Sequence, residues 1–274
     1  MTTVGSNTRS ERIAALAFEY DAQPKARVDT CNLCGRSAFV GLTHRDRYGY
    51  PAAAACCSVC GLVFLDPVMT ADAYGRFYQR IYRPLVSAYH GRLIDARTIQ
   101  DEQREYAAER GDLLEPVLGG RGYRTLLDIG GSTGVVAHAF AQRFDLRATV
   151  VDPAPLETAE AQAFGLETIE GLIERIDLGD RRFDMVMLCQ TVDHLLDITG
   201  TLRRVRELLT PQGLLFVDIV DFRAAYLRSW SVEEAVKIDH PYYLTEATAT
   251  AFLKRAGFDI VRADYAADHL HVSY

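Results

Sequence analysis

The chain has 274 residues and a formal net charge of −7, with 49% hydrophobic and 24% charged residues. These values are ordinary for a soluble globular protein with one large domain and a smaller appendage. No run approaches the roughly eighteen consecutive apolar residues that a membrane span needs. Because the chain is acidic, it lacks the basic surface that displaces counterions from nucleic acid, and we expect no nucleic-acid partner.

The start of the chain, Met1 to Gly5, contains no basic region followed by an apolar stretch. We therefore expect no secretory signal and a cytoplasmic location, in which thiols remain reduced. A short helix is predicted over residues 11–20.

Five of the six cysteines lie between positions 31 and 60. Two C-x-x-C-G knuckles, Cys31/Cys34 and Cys57/Cys60, are separated by 22 residues. Four thiolates at this spacing can close a tetrahedral zinc site, and a site with four protein ligands is structural. Two disulfides are the alternative, which a reducing cytosol disfavours. Cys56 could replace Cys57 as a ligand, but the doubled motif favours Cys57.

The segment after the knuckles predicts a strand over 62–65 and then aromatic residues at helical spacing over 71–82. Residues 92–110 are polar and helix-forming, and Gly111 is expected to break that helix. The sequence therefore divides into an N-terminal extension (1–27), a zinc ribbon (28–66), a helical linker or lid (67–111) and a catalytic core (112–274).

The core alternates apolar strands with helices, which predicts an α/β fold with a mostly parallel, Rossmann-like sheet. A helix capped by Thr245 and ending at Ala256 precedes a closing pair of strands at 258–263 and 270–274. The other strands are predicted at 125–129, 147–151, 166–169, 184–189 and 213–219.

A glycine-rich turn joins the first core strand to its helix. It contains Gly130, Gly131 and Gly134, and Asp128 precedes it. Such a turn lets the backbone approach a ligand closely at the positive end of a helix. Asp152, at the end of the second strand, stands where a carboxylate holds ribose hydroxyls in nucleotide-binding sheets.

The pattern Asp128-x-Gly130-x-x-x-Gly134 resembles motif I of the class I S-adenosylmethionine (SAM) methyltransferases, although Ser132 replaces a glycine usual in that family. Phe183-Asp184-x-Val186 and Leu208-Leu209-x-Pro211-x-Gly213 are similar to later landmarks of the family. The resemblance implies the family's seven-stranded sheet and SAM as cofactor. The residues implied to bind SAM are Asp128, Gly130, Gly131, Gly134, Asp152, Pro153, Cys189 and Gln190.

The zinc ribbon followed by Phe77, Tyr78 and Tyr82 resembles methyltransferases of sugar and polysaccharide biosynthesis, some of which methylate carbon in nucleotide-linked ketosugars. In that group a Tyr, a His and a Glu-His pair line the active site. The matching positions here are Tyr78 or Tyr82, His194, and Asp239 with His240. Two residues depart from that pattern: Asp239 replaces the Glu, and Lys237 stands where the group carries a Tyr. We expect no counterpart of that group's C-terminal domain.

These resemblances imply a small-molecule substrate, either a sugar or a sugar nucleotide, and leave C- versus O-methylation and the oligomeric state open. A hydroxyl or carbon nucleophile needs a general base, for which histidine is suited near neutral pH. We expect His240 to be the base, with His194, Asp239 and Tyr82 beside it. An RNA methyltransferase that grips RNA with its ribbon, or a non-catalytic SAM-binding module, are the alternatives.

Overall fold

The computed structural model describes residues 8–274, so the prediction for Met1 to Gly5 lies outside the described residues. The same is true of residues 1–7 of the predicted extension. Helix α1 (Arg9–Ala14) is shorter than the predicted 11–20 helix and begins at a capping box formed by Thr8 and Glu11. Within the described residues, no helix is long and apolar enough to cross a membrane.

A small antiparallel sheet follows the N-terminal segment. The short strand β1 (Lys25–Ala26) precedes β2 (Phe39–Thr43), β3 (Ala54–Cys57) and β4 (Val63–Leu65), which pair in sequence order. Strand β5 (Val68–Met69) returns to pair with β1. The first cysteine knuckle precedes β2, the second begins at the last residue of β3, and the predicted strand at 62–65 is confirmed as β4.

Three helices connect this sheet to the core: α2 (Ala71–Arg80), α3 (Tyr82–His90) and α4 (Gln100–Leu118). The aromatic stripe of α2 faces inward, since Tyr74 and Phe77 are almost completely buried. Helix α2 begins at Thr70, whose side chain caps the first turn.

The core then alternates strands and helices, as predicted. In chain order its elements are β6 (Thr125–Ile129), α5 (Val135–Phe144), β7 (Arg147–Asp152), α6 (Pro155–Ala163), β8 (Glu167–Glu170), β9 (Phe183–Cys189), α7 (Ile198–Leu208), β10 (Leu209–Val220), α8 (Phe222–Ser229), α9 (Val232–Ala235), β11 (Tyr242–Tyr243), α10 (Glu246–Arg255), β12 (Asp264–Tyr265) and β13 (His271–Ser273).

Seven of these strands form one sheet in the order β12-β13-β10-β9-β6-β7-β8. The neighbouring strands from β10 through β9, β6 and β7 to β8 pair in parallel. Strand β13 runs antiparallel to β10. The predicted α/β class and Rossmann-like methyltransferase sheet are confirmed. The carboxyl ends of β6, β7 and β9 meet at one edge, where open α/β sheets bind ligands.

Two local predictions are wrong. Helix α4 runs through Gly111, because this glycine lies where α4 packs on α5: an added Cβ would lie 2.6 Å from Nη1 of Arg143. The strand predicted at 258–263 is absent, and pairing with β13 begins only at Asp264. Phe258 and Ile260 instead pack against the core as partly buried side chains.

Strand β11 joins the two sheets. It comes from the core segment after α9, yet it pairs antiparallel with β4, so that Tyr242 opposes Phe64 and Tyr243 opposes Val63. The small sheet thus has four strands in the order β11-β4-β3-β2. Phe64 belongs to the same hydrophobic cluster as Leu188 of the main sheet.

Because Phe64 connects the small sheet to the core of the main sheet, Phe64→Ala should lower the free energy of unfolding by about 3–5 kcal/mol. Urea denaturation followed by circular dichroism measures this loss. The matched control is Val40→Ala on the exposed edge strand β2, which should change stability by less than about 0.5 kcal/mol. A loss of similar size in both variants would show that Phe64 does not connect the small sheet to the core of the main sheet.

Candidate active site

A cavity of about 370 Å³ opens at the carboxyl edge of the main sheet. Its walls come from the ends of β6, β7 and β9, from helices α2 to α4, and from the loop that follows β9. Most residues predicted from the sequence line it: Asp128, Gly130, Gly131, Asp152, Pro153, Cys189, Gln190, Tyr82 and His194, together with Tyr78.

A larger cavity of about 710 Å³ lies elsewhere, between the first half of β10 and residues 257–262. Its walls include Arg206, Leu214 and Val261, and it contains none of the predicted site residues. Since ligands of open α/β sheets bind beyond the carboxyl ends of the strands, we assign the site to the smaller cavity.

The glycine-rich turn is built for close approach. Gly130 has φ +73°, and a Cβ there would lie 2.5 Å from the side chain of Thr191. Gly134 also has φ +73°, but it packs against Ala161 and lies outside the cavity wall. Gly134 therefore supports the turn from behind, whereas Gly130 and Gly131 face the ligand space.

Asp128 is almost fully buried, and its Oδ1 has no hydrogen-bond partner among the described residues. Burial, with the nearby charge of Asp152, raises the pKa of Asp128 well above its ordinary value. A buried polar atom without a partner is costly. Its position on the cavity wall fits a cofactor that brings a hydrogen-bonding group to this point.

Asp152 is held by the backbone. Its Oδ2 accepts from the amide of Ser132 at 2.9 Å, and its Oδ1 accepts from the amide of Ala154 at 2.9 Å. Burial raises the pKa of Asp152 to about 6 despite these bonds. A carboxylate oxygen has further lone pairs, so this fixed group can still accept from ribose hydroxyls.

Helix α4 contributes wall residues that the sequence analysis did not identify. Gln103 and Tyr106 face the cavity, and Gln103 is hydrogen-bonded to Thr133 of the glycine-rich turn. Their signal is weak in the sequence, because polar residues on a helix usually face solvent. Cys189 lies on the same wall, and burial raises the pKa of its thiol well above the ordinary value.

Tyr78 and His194 form a hydrogen-bonded pair at the other end of the cavity. The Tyr78 hydroxyl donates to the carbonyl oxygen of Asp239 at 3.0 Å and lies 2.8 Å from Nδ1 of His194. Because a phenol has a single hydrogen, Nδ1 of His194 is the donor in the second bond. Nε2 of His194 is then left with the lone pair.

His240 lies behind His194, with the two ring centroids 4.2 Å apart. Its Nδ1 is 2.8 Å from Oδ2 of Asp193, and its Nε2 is 3.4 Å from Oδ2 of Asp239. Neither His240 nor Asp239 lines the cavity. Asp193 was not identified from the sequence, and its only signal was that it directly precedes His194.

Charges in this cluster compensate one another. Burial would raise the pKa of Asp193, but His240 and His194 bring it far below the usual range. Burial would likewise raise the pKa of Asp239, which Lys237 and His240 lower. Burial and the neighbouring His240 lower the pKa of His194 to about 4, so its ring is neutral near pH 7.

The four knuckle cysteines converge. The sulfur atoms of Cys31, Cys34, Cys57 and Cys60 lie within 4.8 Å of one another. Cys31 and Cys60 are 3.5 Å apart and Cys34 and Cys57 are 3.6 Å apart, and all six cysteines are free thiols. Zinc–sulfur bonds of about 2.3 Å in a tetrahedron place sulfurs about 3.8 Å apart, so the set fits zinc. Cys56 is not part of this cluster.

Comparison with solved structures agrees with the fold. A SAM-dependent methyltransferase from Leishmania major superimposes with a TM-score of 0.51 and 15% identity, covering 74% of this chain and 79% of that one. A ubiquinone biosynthesis O-methyltransferase from Azorhizobium caulinodans is 28% identical over 163 residues, which are 54% of this chain and 62% of the relative.

A relative with the same description from Methylobacterium nodulans is 26% identical over 157 residues, which are 50% of this chain and 60% of the relative. The chain thus spans less than two thirds of the length of these relatives. A family model described as a methyltransferase domain matches residues 79–263, more than half of the chain. With the sheet order and the turn between Asp128 and Gly134, this match shows that the chain belongs to the class I SAM-dependent methyltransferases.

Proposed function

We propose that the protein is an enzyme that transfers the methyl group of SAM to a small molecule, and that the acceptor is a sugar or sugar nucleotide. The observation that carries the proposal is the pairing of Tyr78 with His194 on the cavity wall. The positions that resemble the sugar methyltransferases, Tyr78, His194, Asp239 and His240, lie together in one cluster.

A phenol is the second candidate acceptor. The relatives from Azorhizobium caulinodans and Methylobacterium nodulans are described as O-methyltransferases of ubiquinone biosynthesis. A phenol and a sugar hydroxyl both need a base near the transferable methyl group, so the same cavity can serve either acceptor. We keep the sugar as the first candidate because the relatives' names say nothing of the Tyr78–His194 cluster.

SAM, when bound, supplies a methyl group already activated by a sulfonium. The carboxyl edge of the sheet would hold it through Asp128, Gly130 and Asp152, with the glycine-rich turn fitted closely against it. The walls from α2 to α4 cover the cavity and limit the access of water. Orientation of the two reactants accounts for much of the rate enhancement in such an in-line transfer.

We assign the base to His194, the reverse of the order predicted from the sequence. His194 lines the cavity, whereas His240 lies behind it between two carboxylates. The Tyr78 hydroxyl fixes the tautomer of His194, so Nε2 can take the acceptor's proton. His240, held by Asp193, orients His194 through ring contact and stabilises the charge of the cluster.

The substrate class is tested with purified protein and isotopically labelled SAM. Incubation with a panel of nucleotide-linked keto- and hydroxysugars and a panel of catechols is followed by mass spectrometry of the products. We expect a single methylated sugar class, and fragmentation locates the methyl on oxygen or carbon. Methylation of catechols alone would favour the second candidate. Methylation of added transfer or ribosomal RNA, or SAM binding without turnover on any panel, would overturn the proposal.

We further propose that residues 28–66 form a zinc ribbon, that 67–111 form the lid and that 112–274 form the transferase domain. The convergence of Cys31, Cys34, Cys57 and Cys60 supports the ribbon. With four protein ligands the metal would be structural, because no coordination position remains for a substrate.

Protein purified without chelator should contain one zinc ion per chain by elemental analysis. Cys31→Ser should lose the metal and unfold at a lower urea concentration, because metal binding contributes free energy to folding. Cys56→Ser is the matched control and should keep its zinc, since Cys56 is outside the cluster. Wild-type protein free of metal would contradict the ribbon.

His194→Ala should lower kcat by about a hundredfold or more while SAM affinity stays near the wild-type value, as expected for loss of a positioned base. His240→Ala should cost about tenfold, because it only disturbs the orientation of His194. Since the pKa of His194 is lowered to about 4, kcat should fall only as the pH approaches that value, where the base becomes protonated. A larger loss in His240→Ala would restore His240 as the base.

A further inference from the structure

Arg83 stands at the meeting point of the lid and the cavity. It lies on α3, its side chain is only 17% exposed, and it forms part of the cavity wall. Its Nε is 2.7 Å from Oε1 of Glu157, near the start of α6, and its Nη2 donates to the Ser132 hydroxyl at 3.0 Å. One side chain of α3 therefore contacts both the glycine-rich turn and helix α6.

Ser132 departs from the glycine usual in the family, and its conformation makes the departure informative. Its φ is +50°, in the left-handed region that favours glycine. A serine in this conformation is strained, and a hydrogen bond to its hydroxyl can offset that strain. Among the described residues, the contact that uses the hydroxyl is the bond from Arg83.

The backbone of Ser132 also contacts the predicted cofactor site. The Ser132 amide donates to Oδ2 of Asp152, the carboxylate placed for ribose. The conformation of the turn thus depends on Arg83 on one side and fixes Asp152 on the other. The charges agree with this arrangement, because Arg83 pairs with the buried Glu157 at 2.7 Å and its positive charge also acts on Asp152.

We propose that Arg83 is a positioning residue for SAM: through Ser132 and Glu157 it fastens α3 to the glycine-rich turn and fixes the turn against which the cofactor would bind. This inference rests on the proposed use of SAM. A preorganised site binds its ligand more tightly than one that must be ordered on binding, so loss of this contact should weaken SAM binding. The residue contacts the turn and acts on the cofactor only through that turn.

The test compares Ser132→Gly and Ser132→Ala, with SAM affinity measured by calorimetry and stability by urea unfolding. Both variants lose the hydroxyl, but glycine relieves the positive φ while alanine keeps it. We expect affinity to fall about three- to tenfold in both, as expected for the loss of one hydrogen bond that fixes the turn. Stability should be maintained or raised in Ser132→Gly, so a loss of affinity there is not a loss of fold.

Arg83→Met should weaken SAM binding by at least about tenfold, and adding Ser132→Gly to it should cause little further loss, since both remove one contact. The control is Arg97→Met, which removes an exposed ion pair to Glu160 on the same helix α6 and should leave affinity unchanged. Wild-type affinity in both Ser132 variants would overturn the proposal while leaving the proposed function intact. Failure of the wild-type protein to bind SAM would overturn both.

Discussion

The two-residue strand β11 connects the two sheets, and the arrangement of the candidate active site depends on this pairing. Tyr242 and Tyr243 pair with β4 of the small sheet, and the amide of Leu65 donates to the carbonyl of Pro241 at 2.9 Å. His240 lies two residues before β11. A histidine in an unpaired loop would have many positions, whereas strand pairing on its C-terminal side fixes the backbone from which it projects. The small sheet therefore helps to position His240, although its cysteines lie far from His240 in the sequence.

The same pairing explains how two buried carboxylates are tolerated beside two histidines. Asp193 lies on the single helical turn after β9, and Asp239 lies next to β11, so the pairing brings them to His240 from opposite sides. Lys237 approaches Asp239 to 3.8 Å and adds a positive charge. Buried charges are stable only when paired. Lys237, which departs from the tyrosine of the sugar methyltransferases, is here part of that pairing.

The sheet and the glycine-rich end of the candidate site could be predicted from the sequence because they rest on local patterns. The strand ending at Ile129, the turn at Gly130 and the carboxylate Asp152 are each specified by a few adjacent residues. The cluster of cysteines was predictable for the same reason, since a knuckle is a local motif.

The other end of the candidate site, around Tyr78 and His194, could not be predicted to the same depth, because it depends on contacts between distant segments. The residues there come from distant parts of the sequence, since Tyr78 and Asp239 are 161 positions apart and His194 lies between them. A sequence can place each of them in a loop or helix but cannot say which one faces the cavity. The passage of α4 through Gly111 was missed for a related reason, because the packing of α4 on α5 overrides the low helix propensity of glycine.

Backbone strain also occurs at the wall of the candidate site. Ser132 and Gln190 both have positive φ, +50° and +52°, and both line the cavity. A non-glycine residue in that conformation persists only where the surroundings hold it, and such positions concentrate at functional sites. The surroundings are visible here: Arg83 holds the side chain of Ser132, and the amide of Gln190 donates to the carbonyl of Asp218 at 2.8 Å. The contacts that hold these two turns come from helix α3 for Ser132 and from the neighbouring strand β10 for Gln190. One of the two strained turns is thus held by a helix outside the main sheet, so α3 contributes to the candidate site by more than forming part of its wall.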